Sequence, residues 1–217
     1  MLAAKIMGLD VAPPAYMLTK RNTCDKSGMT FAVGGAGVFK VPSKAATLGD
    51  QVDTFESLIA DGTISKNRVK HSVALIAISG NDYASLAAER FDNNIHAFVT
   101  NATIHDFIKN VTREITASVQ RLQEIGVTKI LVNNLPPIGC TPSKTVPNSF
   151  TECDLGGNHY ASLHNTNLKK LLRSVEDVHI VDLNTAFTNI INPPKGTLHV
   201  NAHYYLAPLS CASLKFT

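Results

Sequence analysis

The chain has 217 residues, of which 44% are hydrophobic and 17% are charged, so it can bury one sizeable core and is neither disordered nor fibrous. Its 20 basic and 17 acidic residues leave a net charge of +3, a weak and scattered excess that predicts no nucleic-acid partner. No stretch approaches the roughly 18 apolar residues of a membrane helix, and residues 1–9 lack the apolar core and cleavage site of a secretory signal. The composition predicts a soluble globular protein without a membrane span.

The first half of the chain is predicted to contain one clear helix and one clear strand. Residues 1–47 are rich in Gly, Pro and Ala and are expected to form loops with short ordered pieces. Apolar residues across positions 48–60 fit one face of a helix. Residues 72–79 form a continuous apolar run that Gly80 closes, which favours a strand buried on both faces, as in a parallel sheet.

The second half alternates helices with strands. Apolar residues recur at three- and four-residue steps over residues 101–125, and Gly126 is placed to stop this helix. The predicted elements that follow are a strand over 129–135, a helix over 158–173, a strand over 178–183 and a short helix over 185–191. Residues 195–217 show no convincing periodicity.

This alternation predicts an α/β layer fold with a parallel sheet. In open sheets of this kind, ligands bind beyond the carboxyl ends of the strands. The segments that follow the predicted strands are residues 80–82, residues 136–139 and the residues after Leu183. A functional site is therefore expected among these segments.

A glycine cluster lies at residues 31–37, Phe-Ala-Val-Gly-Gly-Ala-Gly. Glycines let a backbone approach a ligand and point N–H groups at a negative atom. The third glycine of a dinucleotide-binding fingerprint is absent, and no Gly-Lys-Ser/Thr follows to make a phosphate-binding loop. The alternative interpretation is an ordinary tight loop.

A second polar segment, residues 79–83, follows the first predicted strand. An asparagine at this place, such as Asn81, can donate its side-chain N–H to a developing oxyanion, an interaction worth roughly 3–4 kcal/mol. The alternative interpretation is an Asn-Asp turn that caps the next segment.

The four cysteines show no metal-binding spacing, and no cofactor or metal is predicted. Cys140 and Cys153 enclose a proline-containing loop, which leaves both a disulfide and two free thiols open. His199 and His203 are four residues apart, a spacing that would place both on one face of a helix and would suit metal binding. The residues around them do not favour a helix. Two Asn-x-Thr glycosylation triplets begin at Asn101 and Asn110 and matter only in a secreted protein.

Three blocks in this order and spacing resemble the plant GDSL esterases/lipases of the SGNH hydrolase superfamily. They are residues 31–37, residues 80–83 (Gly-Asn-Asp-Tyr) and residues 135–142 (Leu-Pro-Pro-Ile-Gly-Cys-Thr-Pro). Residues 48–55 and 163–168 are similar to two helices of the family. The resemblance implies a three-layer α/β/α fold with a mostly parallel sheet, flavodoxin-like in its layering, of which this chain would hold an incomplete copy.

The resemblance also implies a chemistry, the hydrolysis of carboxylic esters by a Ser-His-Asp triad with an oxyanion hole. By its place in the motifs, Gly35 would be the backbone donor of that hole and Asn81 the side-chain donor. Gly34 is the alternative to Gly35, because the neighbouring glycines leave the alignment open by one position.

The departures from the family concern the catalytic triad. The chain contains no Gly-Asp-Ser and no Asp-x-x-His, so the nucleophilic serine and its aspartate and histidine are not found. Residues 49–51, Gly-Asp-Gln, lie downstream of the glycine cluster and carry glutamine at the nucleophile's place. We therefore expect a family relative truncated at both ends, with a partial hydrolase domain over residues 1–194 and an unmatched tail over 195–217.

Two functions are compatible with this pattern. The first is an esterase or lipase relative whose inherited chemistry is acyl-ester or lipid hydrolysis, but which is inactive in this chain because the triad blocks are absent. The second is a pseudoenzyme that binds an acyl or glycan ligand. The resemblance favours a secreted protein, whereas the absence of a recognisable signal leaves an intracellular one open; the oligomeric state stays open as well.

Overall fold

A computed structural model describes residues 8, 10–19, 25–40, 45–78, 80–83 and 101–192. Short 3-10 turns occur at Tyr16–Leu18, Ile138–Cys140 and Val146–Asn148. The helices are α1 (Leu48–Ala60), α2 (Lys66–Lys70), α3 (Asn101–Glu124), α4 (Pro142–Thr145), α5 (Leu155–Leu172) and α6 (Leu183–Ile191). The strands are β1 (Val73–Ile76), β2 (Lys129–Asn133) and β3 (Val178–Val181).

The three strands form one sheet in the order β1-β2-β3, and both strand pairs are parallel. Ala74 is in register with Ile130, which is in register with Val178. Long helices between successive strands are what parallel neighbours require, because the chain must return to the same end of the sheet. The prediction of an α/β fold with a parallel sheet is confirmed.

The core lies between one face of this sheet and the helices α1, α3 and α5. Alternate strand residues point to this face, as the two-residue period of a strand demands. The buried cluster includes Val52, Ile76, Val111, Ile115, Val119, Ile130, Val132 and Leu168. The described residues therefore place a layer of helices on one face of the sheet.

The prediction that the first strand is buried on both faces is wrong for the residues described. Val73 and Leu75, which point away from the core, are 43% and 48% exposed. The strand is also shorter than the predicted run, because the N–H of Ile78 bonds to the side-chain Oδ1 of Asn133 at 3.0 Å instead of continuing the backbone ladder.

Side-chain caps determine where several helices begin. Helix α1 matches its predicted range, and Thr47 and Asp50 form a reciprocal capping box at its start. Helix α5 begins three residues earlier than predicted, because the Asp154 carboxylate accepts the N–H groups of Gly156 and Gly157. Asp182 caps α6 in the same way by accepting the N–H of Thr185, which ends β3 sooner than expected.

The predicted end of the longest helix is confirmed. Gly126 follows α3 with a φ of 101°, a left-handed conformation that glycine adopts without the steric cost of a Cβ.

No helix within the described ranges is both long enough and apolar enough to cross a membrane. The proposed tail over residues 195–217, with His199 and His203, lies outside the described residues.

Candidate active site

The glycine cluster and the Gly-Asn-Asp segment contact each other directly. The side-chain Nδ2 of Asn81 donates to the carbonyl oxygen of Ala36 at 2.7 Å, across 45 positions of the chain. Gly35 precedes Ala36 and has a φ of 80°, so the backbone turns sharply where it meets Asn81. The structure therefore brings together the two residues that the sequence singled out, with Gly34 in the same turn.

Asp82 joins the same two segments by a second set of hydrogen bonds. Its side chain is 0% exposed. Oδ1 accepts the N–H groups of Val38 and Phe39, and Oδ2 also accepts that of Val38, all at 3.0 Å. A fully buried carboxylate needs such donors, since its desolvation is otherwise costly. Sequence reasoning placed Asp82 in a candidate site segment but did not predict this role.

Gly37 is required by the closeness of this carboxylate. A Cβ on Gly37 would lie 2.6 Å from Oδ1 of Asp82 and 2.9 Å from its Cγ, closer than any ordinary contact. The backbone of the loop therefore packs against the carboxylate with no room for a side chain.

We expect Gly37→Ala to lower the free energy of unfolding by about 1–3 kcal/mol, because the added methyl must push Asp82 away from its donors. Gly34→Ala is the matched control: a Cβ there meets nothing within 4 Å, and both positions carry the same chemical change. Urea unfolding of the two variants measures the difference. Equal losses would show that the contact with Asp82 does not govern this loop.

Tyr83 anchors the segment to helix α5. Its hydroxyl lies 2.7 Å from Nδ1 of His164, whose side chain is 1% exposed. Burial lowers the pKa of His164 to about 4, so the ring is neutral at pH 7 and forms a neutral hydrogen bond with the Tyr83 hydroxyl. Burial, and then the neighbouring Asp82, raises the pKa of Tyr83. His164 is thus a packed, hydrogen-bonded partner of the site segment.

The three segments predicted to meet at the carboxyl edge of the sheet do meet there. A Cβ on Gly80 would lie 3.5 Å from Ile138 Cδ1, so the first two segments are in contact. Asn184, at the start of α6, donates its side-chain Nδ2 to the carbonyl of Leu135 at 3.1 Å. That carbonyl also accepts from Asn165 at 2.9 Å. Asparagine side chains therefore bind the strand ends to one another.

The loop after β2 is closed by a disulfide. Cys140 and Cys153 are bonded, with their Cα atoms 4.4 Å apart. Next to the bond, the N–H of Gly139 donates to Oδ1 of Asn158 at 2.9 Å. Of the two alternatives left open by the sequence, the structure shows the disulfide.

Comparison with known proteins identifies the family. The family model of the GDSL-like lipases/acylhydrolases matches residues 1–205. The chain belongs to this family. Three similar proteins are GDSL esterases/lipases of Arabidopsis thaliana, with 36%, 32% and 31% identity over 67%, 75% and 76% of this chain. The matches cover 39%, 45% and 43% of those relatives, so the chain spans less than half of their length.

Membership of the GDSL family agrees with the parallel α/β sheet. Residues 31–37, 80–83 and 135–142, on which the resemblance depends, are the segments that meet at the edge of the sheet. The structure thus connects blocks that are separate in the sequence.

The Gly-Asp-Gln sequence superficially resembles the Gly-Asp-Ser block of the family, but its aspartate has a structural role. Asp50 of the Gly-Asp-Gln sequence accepts the backbone N–H of Thr47 at 2.9 Å, and this cap lowers the pKa of the carboxyl group. Within the described ranges, no group of three or more His, Cys, Asp or Glu side chains is arranged to hold a metal ion.

Proposed function

We propose that this chain carries the oxyanion-binding part of a carboxylic-ester hydrolase site, of the type that acts on lipids or other acyl esters. The backbone N–H of Gly35 and the side-chain N–H of Asn81 are the proposed donors. The contact between Asn81 and Ala36 supports this assignment, because it holds the Asn81 amide one residue from Gly35. Family membership supplies the reaction class.

In the proposed reaction, a serine oxygen attacks the acyl carbonyl, whose oxygen becomes negatively charged in the tetrahedral intermediate. The two donors stabilise that charge, and the carbonyl re-forms as the alcohol leaves with the proton that the serine hydroxyl gave up. Water then attacks the acyl carbonyl carbon, the bond to the serine oxygen breaks, and the acid leaves while one proton of the water returns to the serine oxygen. Donors fixed before the reaction are effective because they need no reorganisation as the charge develops.

We further propose that residues 1–217 do not complete this reaction by themselves. They contain neither the Gly-Asp-Ser block nor the Asp-x-x-His block of the family. Loss of a triad nucleophile costs about 10⁶-fold in turnover in a serine hydrolase. The proposal concerns this polypeptide alone.

The test combines turnover of a short-chain nitrophenyl ester with labelling by a serine-directed fluorophosphonate, read by intact mass. We expect neither turnover nor a stoichiometric label on the purified 217-residue chain, and a cooperative unfolding transition that shows the chain to be folded. Turnover with one label would contradict the proposed inactivity. In that case Asn81→Ala should reduce kcat by about 10²–10³-fold, and an unchanged kcat would contradict the role of Asn81.

A second candidate function is the binding of an acyl or glycan ligand without catalysis. The absence of both triad blocks favours it, while the retained Gly35 and Asn81 favour the hydrolase ancestry. A rise in Tm with hexanoate or a chito-oligosaccharide, without ester turnover and lost in Asn81→Ala, would support binding. No shift with either probe would leave the hydrolase fragment as the better description.

We also propose that the protein is secreted. The bond between Cys140 and Cys153 supports this, because structural disulfides form and persist in oxidising compartments and are rare in the cytosol.

A further inference from the structure

Helix α3 carries an Asn-x-Thr triplet whose asparagine lies on the outer side of the helix. Asn110 is exposed, and so are Asp106 and Arg113, one turn before and after it. Ile108 and Val111 are buried in the core on the other side. A bulky group on Asn110 would therefore extend into solvent without displacing packed side chains.

The disulfide provides an independent observation about where the chain is made. Cys140 and Cys153 are bonded in the folded chain, which indicates oxidative folding. In eukaryotic cells, the compartment that forms such bonds also transfers oligosaccharides to Asn-x-Thr triplets. An exposed acceptor and a structural disulfide thus point to the same compartment.

We propose that Asn110 carries an N-linked oligosaccharide. C1 of the reducing sugar of a lipid-linked oligosaccharide diphosphate bonds to Nδ2 of Asn110. The bond between C1 and the diphosphate oxygen breaks, the lipid diphosphate leaves with its electron pair, and the amide loses one proton. The inference rests on the proposed secretion of the chain and not on its ester chemistry.

The structure also indicates whether glycosylation precedes or follows folding. Thr112 is 0% exposed, and its hydroxyl donates to the carbonyl oxygens of Ile108 and Lys109, both at 3.0 Å. In the folded helix the third residue of the triplet is therefore inaccessible to a transferase. The oligosaccharide must be added before α3 folds against the sheet.

The test expresses the full chain behind a cleavable secretion leader in eukaryotic cells, so that entry into the secretory pathway is ensured. Four proteins are compared before and after treatment with a peptide N-glycosidase: the wild type, N110Q, N101Q and the double variant. We expect N110Q to lose one glycosidase-sensitive increment of mass relative to the wild type, and N101Q to retain it. An Asn110 peptide without glycan in the wild type would overturn the proposal.

Two further variants separate the acceptor triplet from folding. T112S keeps the triplet and should retain the glycan at Asn110, whereas T112V removes the hydroxyl and should lose it. The disulfide-linked Cys140–Cys153 peptide, read by mass spectrometry in each variant, shows that the chain has folded oxidatively. If that peptide is present in the wild type or T112S and Asn110 is unmodified there, the glycan proposal fails while the proposed ester chemistry and location are unaffected.

The order of events has its own test. The folded chain, purified from bacteria with its disulfide intact, is incubated with glycosylation-competent microsomes whose membranes are permeabilised. We expect no modification of Asn110. Modification of the folded chain would contradict the conclusion that burial of Thr112 blocks the transferase.

Discussion

Replacing Asp82 with alanine is expected to lower the free energy of unfolding by about 3–5 kcal/mol. The substitution leaves the N–H groups of Val38 and Phe39 without their acceptor and empties a buried site. Such a loss is a large part of the total stability of a domain. It also releases the glycine loop that carries Gly35. The measurement is equilibrium unfolding in urea, followed by circular dichroism.

Two controls determine whether the loss of stability arises from the hydrogen bonds between the Asp82 carboxylate and the N–H groups of Val38 and Phe39, which we call the Asp82 clamp. Asp82→Asn keeps one acceptor oxygen and should lose clearly less stability than Asp82→Ala. Asp50→Ala removes a carboxylate that caps α1 near the surface and should cost much less stability than Asp82→Ala. Similar losses for Asp82→Ala and Asp50→Ala would refute the idea that burial makes the Asp82 contacts exceptional.

The second large effect is a loss of stability in mild acid that depends on His164. Its pKa is about 4 in the folded chain against 6.5 for a free imidazole. Between these values the unfolded chain binds a proton that the folded chain does not bind, so stability falls as the pH falls. This stability is fully present above pH 6.5, and the loss reaches about 3 kcal/mol by pH 4.

Unfolding curves at a series of pH values from 7 to 4 measure this loss. His164→Gln is the control variant, because an amide can still form a hydrogen bond with the Tyr83 hydroxyl but does not titrate. We expect a flatter dependence on pH in the variant than in the wild type. Parallel curves would show that another group causes the acid loss. The window ends at pH 4 because the carboxyl groups with lowered pKa values, such as Asp50 and Asp182, add their own losses below it.

Both effects bear on the proposed oxyanion site. Asp82 and Tyr83 immediately follow Asn81, and each is held by a distant part of the chain. A donor contributes to catalysis only if its position is set before the charge appears. We therefore expect the clamp of Asp82 and the contact between Tyr83 and His164 to keep Asn81 beside the glycine loop.

Local chemistry accounts for what could be predicted. Helix α1 has its predicted bounds because its apolar spacing and its cap, Thr47 with Asp50, lie within one short segment. Helix α3 stops where Gly126 adopts a positive φ. The parallel sheet could be predicted as well, because alternating helices and strands leave few other arrangements.

The errors arose where neighbours distant in sequence decide the outcome. The apolar run around Val73 and Leu75 favours burial on both faces, but a strand face is buried only when another element packs on it. The early start of α5 depends on a cap by Asp154 that places two glycines inside the helix, which propensity alone disfavours.

The sequence by itself determined the family, the α/β class and the two residues proposed as oxyanion donors, because all of these depend on ordered motifs and short-range periodicity. Only the tertiary structure decided that Asn81 meets Ala36, that Asp82 binds the backbone of Val38 and Phe39, and that Cys140 is bonded to Cys153. The physical reason is that these contacts join residues that are far apart along the chain. Hydrogen bonds and buried charges depend on which groups are adjacent in space, and for Asp82 and Val38 those groups are 44 positions apart in the chain.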